Sequence, residues 1–271
     1  MTEHIAFIGG GNMASAIISG LLRSGYAASQ FDVVEPFDEA RQKLKASYGI
    51  AAEAAAGPFL KRASLVVWAV KPQTFKEAAQ QTQAFTNKAL HLSVAAGIPS
   101  GSIARWLGTE RIVRAMPNTP ALIGKGISGL YARAAASAAD RSLVEQVVAT
   151  TGEFLWMTEE AQLDAVTAIS GSGPAYVFYF LEAMAKAGTE MGLPREQALQ
   201  LAVSTFIGAG ELARASTEPP EVLRQRVTSK GGTTYAALTS MEQSGIKGQF
   251  ELALKAAGAR AKELGEEFGS A

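Results

Sequence analysis

The sequence of 271 residues contains no cysteine and only two histidines, His4 and His91. The absence of cysteine excludes disulfide bonds, thiolate nucleophiles and thiolate metal sites. The two histidines lie beside separate apolar runs and do not form a metal-binding pattern, so we expect no metal site. We assign neither histidine a catalytic role.

An excess of positive charge is also absent, because 25 Lys and Arg residues balance 25 Asp and Glu residues and no basic run occurs. The positive field that would attract nucleic acid or an anionic membrane is therefore missing. We expect the partners to be a small-molecule substrate and further copies of the same chain.

Long hydrophobic runs are scarce as well. Residues 5–22 carry no charge and approach the length of a minimal membrane span, but three consecutive glycines and Asn12 would break such a helix. The preceding Thr2 and Glu3 are not the basic flank of a signal peptide. The sequence therefore predicts a soluble, cytoplasmic protein.

Short β-rich runs alternate with helical patterns over the first 158 residues. This alternation predicts an α/β fold with a doubly wound, Rossmann-type parallel sheet. A weaker run at residues 127–131, interrupted by Gly129, is predicted as a late edge strand. The clearer predicted strands cover residues 5–8, 31–34, 64–70, 89–95, 111–116 and 154–157.

The spacing Gly9-x-Gly11-x-x-Ala14 follows the first predicted strand and opens a helical stretch, which matches the dinucleotide fingerprint. The first glycine permits a tight turn, and the second lets the backbone approach a pyrophosphate. Free N–H groups at the start of the helix would then bind the phosphates. We therefore predict a dinucleotide-binding domain over residues 1–158.

Strand signals end there, and Ala, Leu, Glu and Gln dominate residues 159–271, which we predict to form an all-helical domain. Residues 175–181 are apolar around the whole circumference of their predicted helix, so the helix needs cover on every side. A partner subunit, most simply in a two-fold dimer, would provide that cover. The alternative is a central helix wrapped within its own domain.

Glu35 ends the second predicted strand, where an acidic side chain accepts hydrogen bonds from the adenosine ribose hydroxyls. This position favours NAD because a phosphate on that ribose would meet a like charge. Arg41 or Lys43, one to two helical turns further on, could compensate. An ordinary solvated glutamate ahead of Pro36 is the alternative.

Three more loops follow predicted strands at the sheet edge where open α/β proteins bind ligands. Lys71 and Pro72 follow the third strand, and the small residues of 93–97 follow the next. Asn118 and Thr119 lie between two prolines in a stiff loop. A purely structural turn is the alternative for each loop.

Residues 227–234 read VTSKGGTT and lead into a further helical pattern. Paired glycines, Gly231 and Gly232, at a helix entrance expose several N–H donors at the positive end of the helix dipole. This is a carboxylate-binding site in outline. The hydroxyls of Ser229, Thr233 and Thr234 would either cap the helix or bind a ligand.

Together these segments resemble the pyrroline-5-carboxylate reductase family over nearly the whole chain. The resemblance rests on FIGGGNMASAIISG at 7–20, AVKPQ at 69–73, SVAAG at 93–97, RAMPNTP at 114–120, ISGSGPAY at 169–176 and VTSKGGTTYAAL at 227–238. It implies that hydride passes from NADH or NADPH to the imine carbon of 1-pyrroline-5-carboxylate, giving L-proline. It also implies that the helical domain is a substrate and dimerisation domain, in a homodimer that commonly assembles further into a ring of dimers.

The resemblance further implies roles for individual residues. Ser229 and the Gly231–Thr234 backbone would hold the substrate carboxylate, and the Thr234 hydroxyl would meet the ring nitrogen, so Thr234 and Ser229 are the expected catalytic residues. The expected substrate-binding residues are Val227, Thr228, Ser229, Gly231, Gly232, Thr233 and Thr234. The expected coenzyme-binding residues, with those read from the fingerprint and the loops, are Gly9, Gly11, Asn12, Met13, Glu35, Val70, Lys71, Pro72, Ala95, Gly97 and Asn118.

Two other functions fit parts of the sequence. A 3-hydroxyacid dehydrogenase shares the glycine fingerprint and the helical second domain. Such enzymes resemble one another in placing a catalytic lysine one helical turn after a glycine-rich motif in that domain. Here Gly171-Ser172-Gly173 is followed by residues 174–180, which contain no lysine. A non-catalytic, NAD(P)-sensing dimer is the second alternative, although such a protein would not need the loop at residues 229–234.

Overall fold

Seven strands form one sheet in the computed structural model, which describes residues 3–270. They are β1 (Ile5–Ile8), β2 (Phe31–Val34), β3 (Leu65–Trp68), β4 (Leu90–Ser93), β5 (Ile112–Met116), β6 (Gly126–Ala132) and β7 (Gly152–Trp156). Their order across the sheet is β2-β1-β3-β4-β5-β6-β7, and the pairs from β2 to β5 are all parallel. The predicted Rossmann-type fold is confirmed.

The position predicted for the strand at residues 127–131 is wrong. β6 lies inside the sheet between β5 and β7, and β7 forms the edge. β6 also runs antiparallel to β5, with Arg114 opposite Tyr131, so the sheet is mostly rather than wholly parallel. Only residues 117–125 connect the two strands, and this connection is too short for the crossover that a parallel pair requires.

Helices cover both faces of the sheet. The alternating side chains of the strands divide the buried interior into two clusters, with Phe7 and Val67 in one and Ile8 and Trp68 in the other. A strand that is buried on both faces reads as a continuous apolar run, which explains the strong signals of β1 and β3. The helices that follow the strands are α1 (Asn12–Arg23), α2 (Asp38–Tyr48), α3 (Pro72–Thr86), α4 (Ser100–Leu107) and α5 (Ala138–Ala149).

Every element that follows β7 within the described residues is helical, as predicted. Pro194 is the N-cap of α8, and Gly192, with φ +101°, follows the end of α7. The elements are α6 (Gln162–Val166), a π-helical turn (Thr167–Gly171), α7 (Gly173–Glu190), α8 (Arg195–Ala215), α9 (Pro220–Arg226), α10 (Thr233–Gln243) and α11 (Ile246–Ser270). Between residues 3 and 270, no helix has both the length and the hydrophobicity to cross a bilayer.

The chain divides into two compact units, one of Met1–Gly173 with Ala256–Ala271 and one of Pro174–Lys255. The functional boundary expected at residue 158 stays a prediction. The second half of α11 groups with the sheet. In that half, Phe268 packs on the core cluster that contains Trp68. The Gly269 carbonyl accepts hydrogen bonds from Ser102 Oγ at 2.8 Å and from Arg105 at 3.0 Å.

Candidate functional site

The glycine turn after β1 has the geometry of a phosphate cradle. Gly9 adopts φ +94°, and a Cβ atom there would lie 2.6 Å from the Ala69 carbonyl oxygen, so only glycine fits. A Cβ atom on Gly11 would meet no atom within 4 Å, which leaves the turn open on that side. Gly11 is also the N-cap of α1 and carries no side chain, so the first amides of this twelve-residue helix lack a cap. Asn12 and Met13 therefore present N–H groups that fit a pyrophosphate.

Glu35 follows β2 directly beside this turn, and its side chain is 6 % exposed. Its Oε2 atom accepts a hydrogen bond from Gly10 N at 2.8 Å, and its Oε1 atom accepts one from Phe37 N at 2.9 Å. Both carboxylate oxygens are thus bonded to main-chain amides of the same chain. The expected contact with a ribose stays a prediction.

The loops after β3 and β4 lie at the carboxyl edge of the sheet, as predicted. Lys71 is exposed and forms the extended N-cap of α3, with Pro72 in the first turn. Ala95 is buried, and its amide donates to Ser93 Oγ at 3.3 Å. Gly97 adopts φ +72°, and a Cβ atom on it would lie 3.2 Å from Leu264 Cβ. The second half of α11 therefore packs closely against the loop that was expected to contact the coenzyme.

The Asn118 side chain is engaged within the protein. Its Nδ2 atom donates to the Ser170 carbonyl at 3.1 Å, and its Oδ1 atom accepts from Ile127 N at 3.0 Å. The amide thereby joins the loop after β5 to β6 and to the π-helical turn. Binding of the coenzyme by Asn118 remains a prediction. Because the side-chain amide is already bonded, the main chain of Asn118 would make that contact.

One cluster beside the loop that follows β4 was not foreseen from the sequence. Glu160 accepts hydrogen bonds from the amide and the hydroxyl of Ser100, both at 2.5 Å, and pairs with Arg114 at 2.6 Å. Burial opposes ionisation of Glu160, but the bonds from Ser100 and the Arg114 guanidinium together lower its pKa. Glu160 and Arg114, together with Gly97, line a cavity of about 570 Å³. The one available signal was Arg114, a charged residue inside a buried strand.

The predicted substrate loop joins α9 to α10 in the second unit. Gly231 adopts φ +75°, and Gly232 N donates to the Ser229 carbonyl at 3.0 Å, which closes a tight turn. Gly232 is the N-cap of α10 and has no side chain, so the first amides of this helix are uncapped. Thr234 is half-buried in that first turn, whereas Ser229 is exposed.

Two other members of this loop have different surroundings. The Thr228 hydroxyl donates to the Arg224 carbonyl at 2.6 Å and so satisfies the end of α9. Val227 is 63 % exposed and offers an apolar surface. Within the described residues, the loop therefore offers backbone amides with the hydroxyls of Ser229, Thr233 and Thr234, a donor set suited to a small carboxylate.

Comparisons with known proteins show which family the chain resembles over its length. A family model described as pyrroline-5-carboxylate reductase dimerisation matches residues 160–264, and one described as NADP oxidoreductase, coenzyme F420-dependent, matches residues 4–97. A pyrroline-5-carboxylate reductase of Pseudomonas aeruginosa is 45 % identical over 270 residues, which is 99 % of either chain.

Solved structures give the same result. A pyrroline-5-carboxylate reductase of Coxiella burnetii is similar with a TM-score of 0.90 and 36 % identity, over 97 % of this chain and 99 % of that one. The Plasmodium falciparum pyrroline carboxylate reductase, solved with NADP bound, is similar with a TM-score of 0.87 and 27 % identity, over 97 % and 98 % of the two chains.

Proposed function

The chain belongs to the pyrroline-5-carboxylate reductase family and is an NAD(P)H-dependent reductase of proline biosynthesis, and we propose that residues 227–234 hold its substrate while the glycine turn holds its coenzyme. The reaction converts 1-pyrroline-5-carboxylate to L-proline. The bound coenzyme supplies a hydride to the imine carbon.

The observation that carries the substrate assignment is the uncapped start of α10. The backbone of Gly231–Thr234, in which the Gly232 amide closes the turn and the other amides have no partner in residues 3–270, binds the substrate carboxylate together with the Ser229 hydroxyl, at the positive end of the helix dipole. The half-buried Thr234 hydroxyl accepts a hydrogen bond from the ring nitrogen and so fixes which way the ring faces. Val227, Thr228 and Thr233 complete the loop.

Reduction of this substrate needs little acid–base catalysis by the protein. A cyclic imine is basic enough to bind in its protonated form, and the protonated imine carbon is already electrophilic. The electron pair of the C=N bond moves to nitrogen as the new C–H bond forms, so no further proton is required at the nitrogen. The main task of the chain is then to place the ring and to exclude water.

On the coenzyme side, the pyrophosphate is bound by the uncapped amides of α1 behind Gly11. The loops after β3 and β4 provide backbone contacts at the neighbouring part of the sheet edge. The residues assigned to the coenzyme are Gly9, Gly11, Asn12, Met13, Glu35, Val70, Lys71, Pro72, Ala95, Gly97 and Asn118. The functional division that we propose differs from the compact units, since residues 1–158 serve the coenzyme and residues 159–271 serve the substrate and the dimer.

A homodimer is proposed from the apolar surface of α7. Val177, Phe178 and Tyr179 are 37 %, 58 % and 71 % exposed, although they lie in the most apolar helical stretch of the chain. In residues 174–255, the buried hydrophobic side chains are the three alanines Ala185, Ala198 and Ala202, which do not make a core. A second copy would cover this surface. Assembly of dimers into a ring and a cytoplasmic location are proposed from the family resemblance alone.

The test of the activity is steady-state turnover with each coenzyme. We expect the purified protein to oxidise NADPH or NADH only after 1-pyrroline-5-carboxylate is added. Coenzyme binding without turnover would instead indicate the sensor function. Oxidation of 3-hydroxyacids would indicate the dehydrogenase function, whose catalytic lysine has no counterpart in the first turns of α7.

A further inference from the structure

The start of α4 is capped by a residue from a distant part of the chain. The N-cap residue Pro99 has no acceptor in its side chain, so the Ser100 amide has no capping partner within its own turn. Glu160, 60 positions further on, accepts the Ser100 amide at Oε1 and the Ser100 hydroxyl at Oε2, both at 2.5 Å. A carboxylate stabilises the positive end of a helix, and Ser100 is completely buried. Glu160 therefore fixes where α4 begins and where the loop after β4 ends.

The loop after β4, residues 94–99, is held at two other points. Near its start, Ala95 N donates to Ser93 Oγ at 3.3 Å. In its middle, a Cβ atom on Gly97 would lie 3.2 Å from Leu264 Cβ, so α11 packs closely against it. The bonds to Glu160 at the end of the loop are charge-assisted and are the strongest of the three contacts. The path of this short loop therefore depends most on Glu160.

Glu160 also holds β5. Arg114 in this strand is 8 % exposed, and its Nη1 atom donates to Glu160 Oε1 at 2.6 Å. Removal of the carboxylate would leave a buried guanidinium without its partner. Further along the same segment, the Ser170 carbonyl accepts the bond from Asn118 Nδ2 at 3.1 Å. Residues 160–170 thereby hold the start of α4, the strand β5 and the loop that follows β5.

The loops after β4 and β5 lie on one side of the glycine turn. The sheet order is β2-β1-β3-β4-β5, so β1 and its turn separate β2 from the other three strands. In doubly wound sheets the pyrophosphate lies at the turn after the first strand, and the adenosine ribose lies at the end of the second. The half of the coenzyme that carries the nicotinamide therefore extends over the ends of β3, β4 and β5. The elements that Glu160 holds border that half.

We propose that Glu160 is a positioning residue for the nicotinamide half of the coenzyme site. Through Ser100 it holds the end of the loop after β4, and through Arg114 it holds the strand from which the next loop leaves. Loss of the carboxylate loosens both loops. The glycine turn keeps its place, because Gly9 N is bonded to the Val34 carbonyl at 2.8 Å on the other side of β1. The proposal rests on the coenzyme site of the proposed function.

The experiment compares a whole coenzyme with fragments that lack the nicotinamide. The Kd values of NADPH and NADH are measured by coenzyme fluorescence without substrate, and those of ADP and adenosine 2′,5′-bisphosphate by calorimetry. Glu160→Ala should raise the Kd of the tighter-binding coenzyme by about tenfold, the scale of a lost charged hydrogen bond. The Kd of the tighter-binding fragment should change by less than about twofold. A general loss of structure would not produce this difference between coenzyme and fragment.

Asp140→Ala is the matched control, because it removes another buried carboxylate that is bonded to an arginine. Asp140 is 4 % exposed and accepts bonds from Arg111 at 3.0 Å and 2.6 Å and from Ser137 N at 2.9 Å. Arg111 lies directly before β5, at the end of the sheet opposite to the ligand edge. Asp140→Ala should lower the midpoint of thermal unfolding as Glu160→Ala does, but it should change neither the coenzyme Kd nor the fragment Kd.

Ser100→Ala is a milder second variant, which removes the hydroxyl that joins Glu160 to α4. It should raise the coenzyme Kd by about threefold and leave the fragment Kd unchanged. If Glu160→Ala does not fold, Ser100→Ala decides by the same two measurements.

Three results would overturn the proposal. They are an equal loss of coenzyme and fragment in the Glu160 and Ser100 variants, an unchanged coenzyme Kd in both, and a selective loss of coenzyme in Asp140→Ala. Because binding is measured without substrate, a wild-type protein that binds coenzyme without reducing pyrroline-5-carboxylate would count against the proposed function and not against the role of Glu160.

Discussion

The indole N–H of Trp68 donates a hydrogen bond of 3.0 Å to Nδ1 of His91, across the parallel pair of β3 and β4. The two rings are also stacked, with centroids 6.0 Å apart and an angle of 29° between their planes. His91 is completely buried, and its Nδ1 atom must remain unprotonated to accept this bond. The sheet thus contains a neutral imidazole at its centre.

Acid should therefore destabilise the protein before its carboxylates are titrated. Burial lowers the pKa of His91 to about 4 from 6.5, so the folded state resists protonation that the unfolded chain accepts. The contribution of the neutral His91 side chain to the free energy of unfolding is fully present above pH 6.5. It is lost as the pH falls toward 4, by about 3 kcal/mol in all. Urea unfolding at several pH values measures this loss. His91→Gln offers another acceptor to Trp68 but has no imidazole to protonate, so its unfolding free energy should not show this loss. The same loss between pH 6.5 and 4 in His91→Gln would show that another group causes it.

Two glycine substitutions should separate stability from coenzyme binding. Gly9→Ala places a methyl group against the Ala69 carbonyl at a positive φ, and should cost about 2–3 kcal/mol of unfolding free energy. Gly11→Ala meets no protein atom, so the fold should be retained while the methyl group blocks the approach of the pyrophosphate. Thermal unfolding and coenzyme titration provide the two measurements. A Gly11→Ala protein with normal coenzyme affinity would show that the phosphates bind elsewhere.

Thr234→Ala should lower kcat/KM for pyrroline-5-carboxylate by about 1–3 kcal/mol of transition-state stabilisation, the scale of one lost buried hydrogen bond. Thr234→Ser keeps the hydroxyl and should restore most of the activity. Thr205→Ala on α8, which removes a hydroxyl bonded to the Leu201 carbonyl, serves as the matched control. Equal kinetics for Thr234→Ala and the wild type would restrict Thr234 to a structural role.

Tyr179→Glu should convert the proposed dimer to a monomer, because it places a charge in the apolar surface of α7, where Tyr179 is 71 % exposed. Lys186→Glu changes the charge at another exposed position of the same helix and should leave the dimer intact. Light scattering after size-exclusion chromatography gives the masses. Dissociation by both substitutions, or by neither, would argue against an interface centred on Tyr179.

The sequence predicted the strands well where burial on both faces produces a continuous apolar run, as in β1 and β3. It predicted β6 poorly because Gly129 interrupts the pattern. In the structure, a Cβ atom on Gly129 would lie 2.8 Å from the side chain of Val166, so the glycine is required by a helix that packs on the strand. Such a requirement depends on a distant part of the chain and is invisible in the local pattern.

For the candidate site too, the sequence predicted the features that depend on local backbone geometry and missed those that depend on distant contacts. The fingerprint identified the turn at Gly9 and Gly11 because its function depends on backbone geometry that only glycine permits. The position of Glu35 was also evident, but not the direction of its carboxylate, which depends on side-chain rotation. The contact between Glu160 and Ser100 joins residues 60 positions apart, and no local spacing indicates it.

The packing of Leu264 against Gly97 and the bond from Ser102 to the Gly269 carbonyl have a consequence for synthesis of the protein. A ribosome makes the sheet long before the second half of α11, yet both belong to one compact unit. The loop beside Gly97 therefore reaches its final packing only after Leu264 has been made and has left the ribosome, and a nascent chain that stops short of residue 264 leaves this part of the fold unfinished.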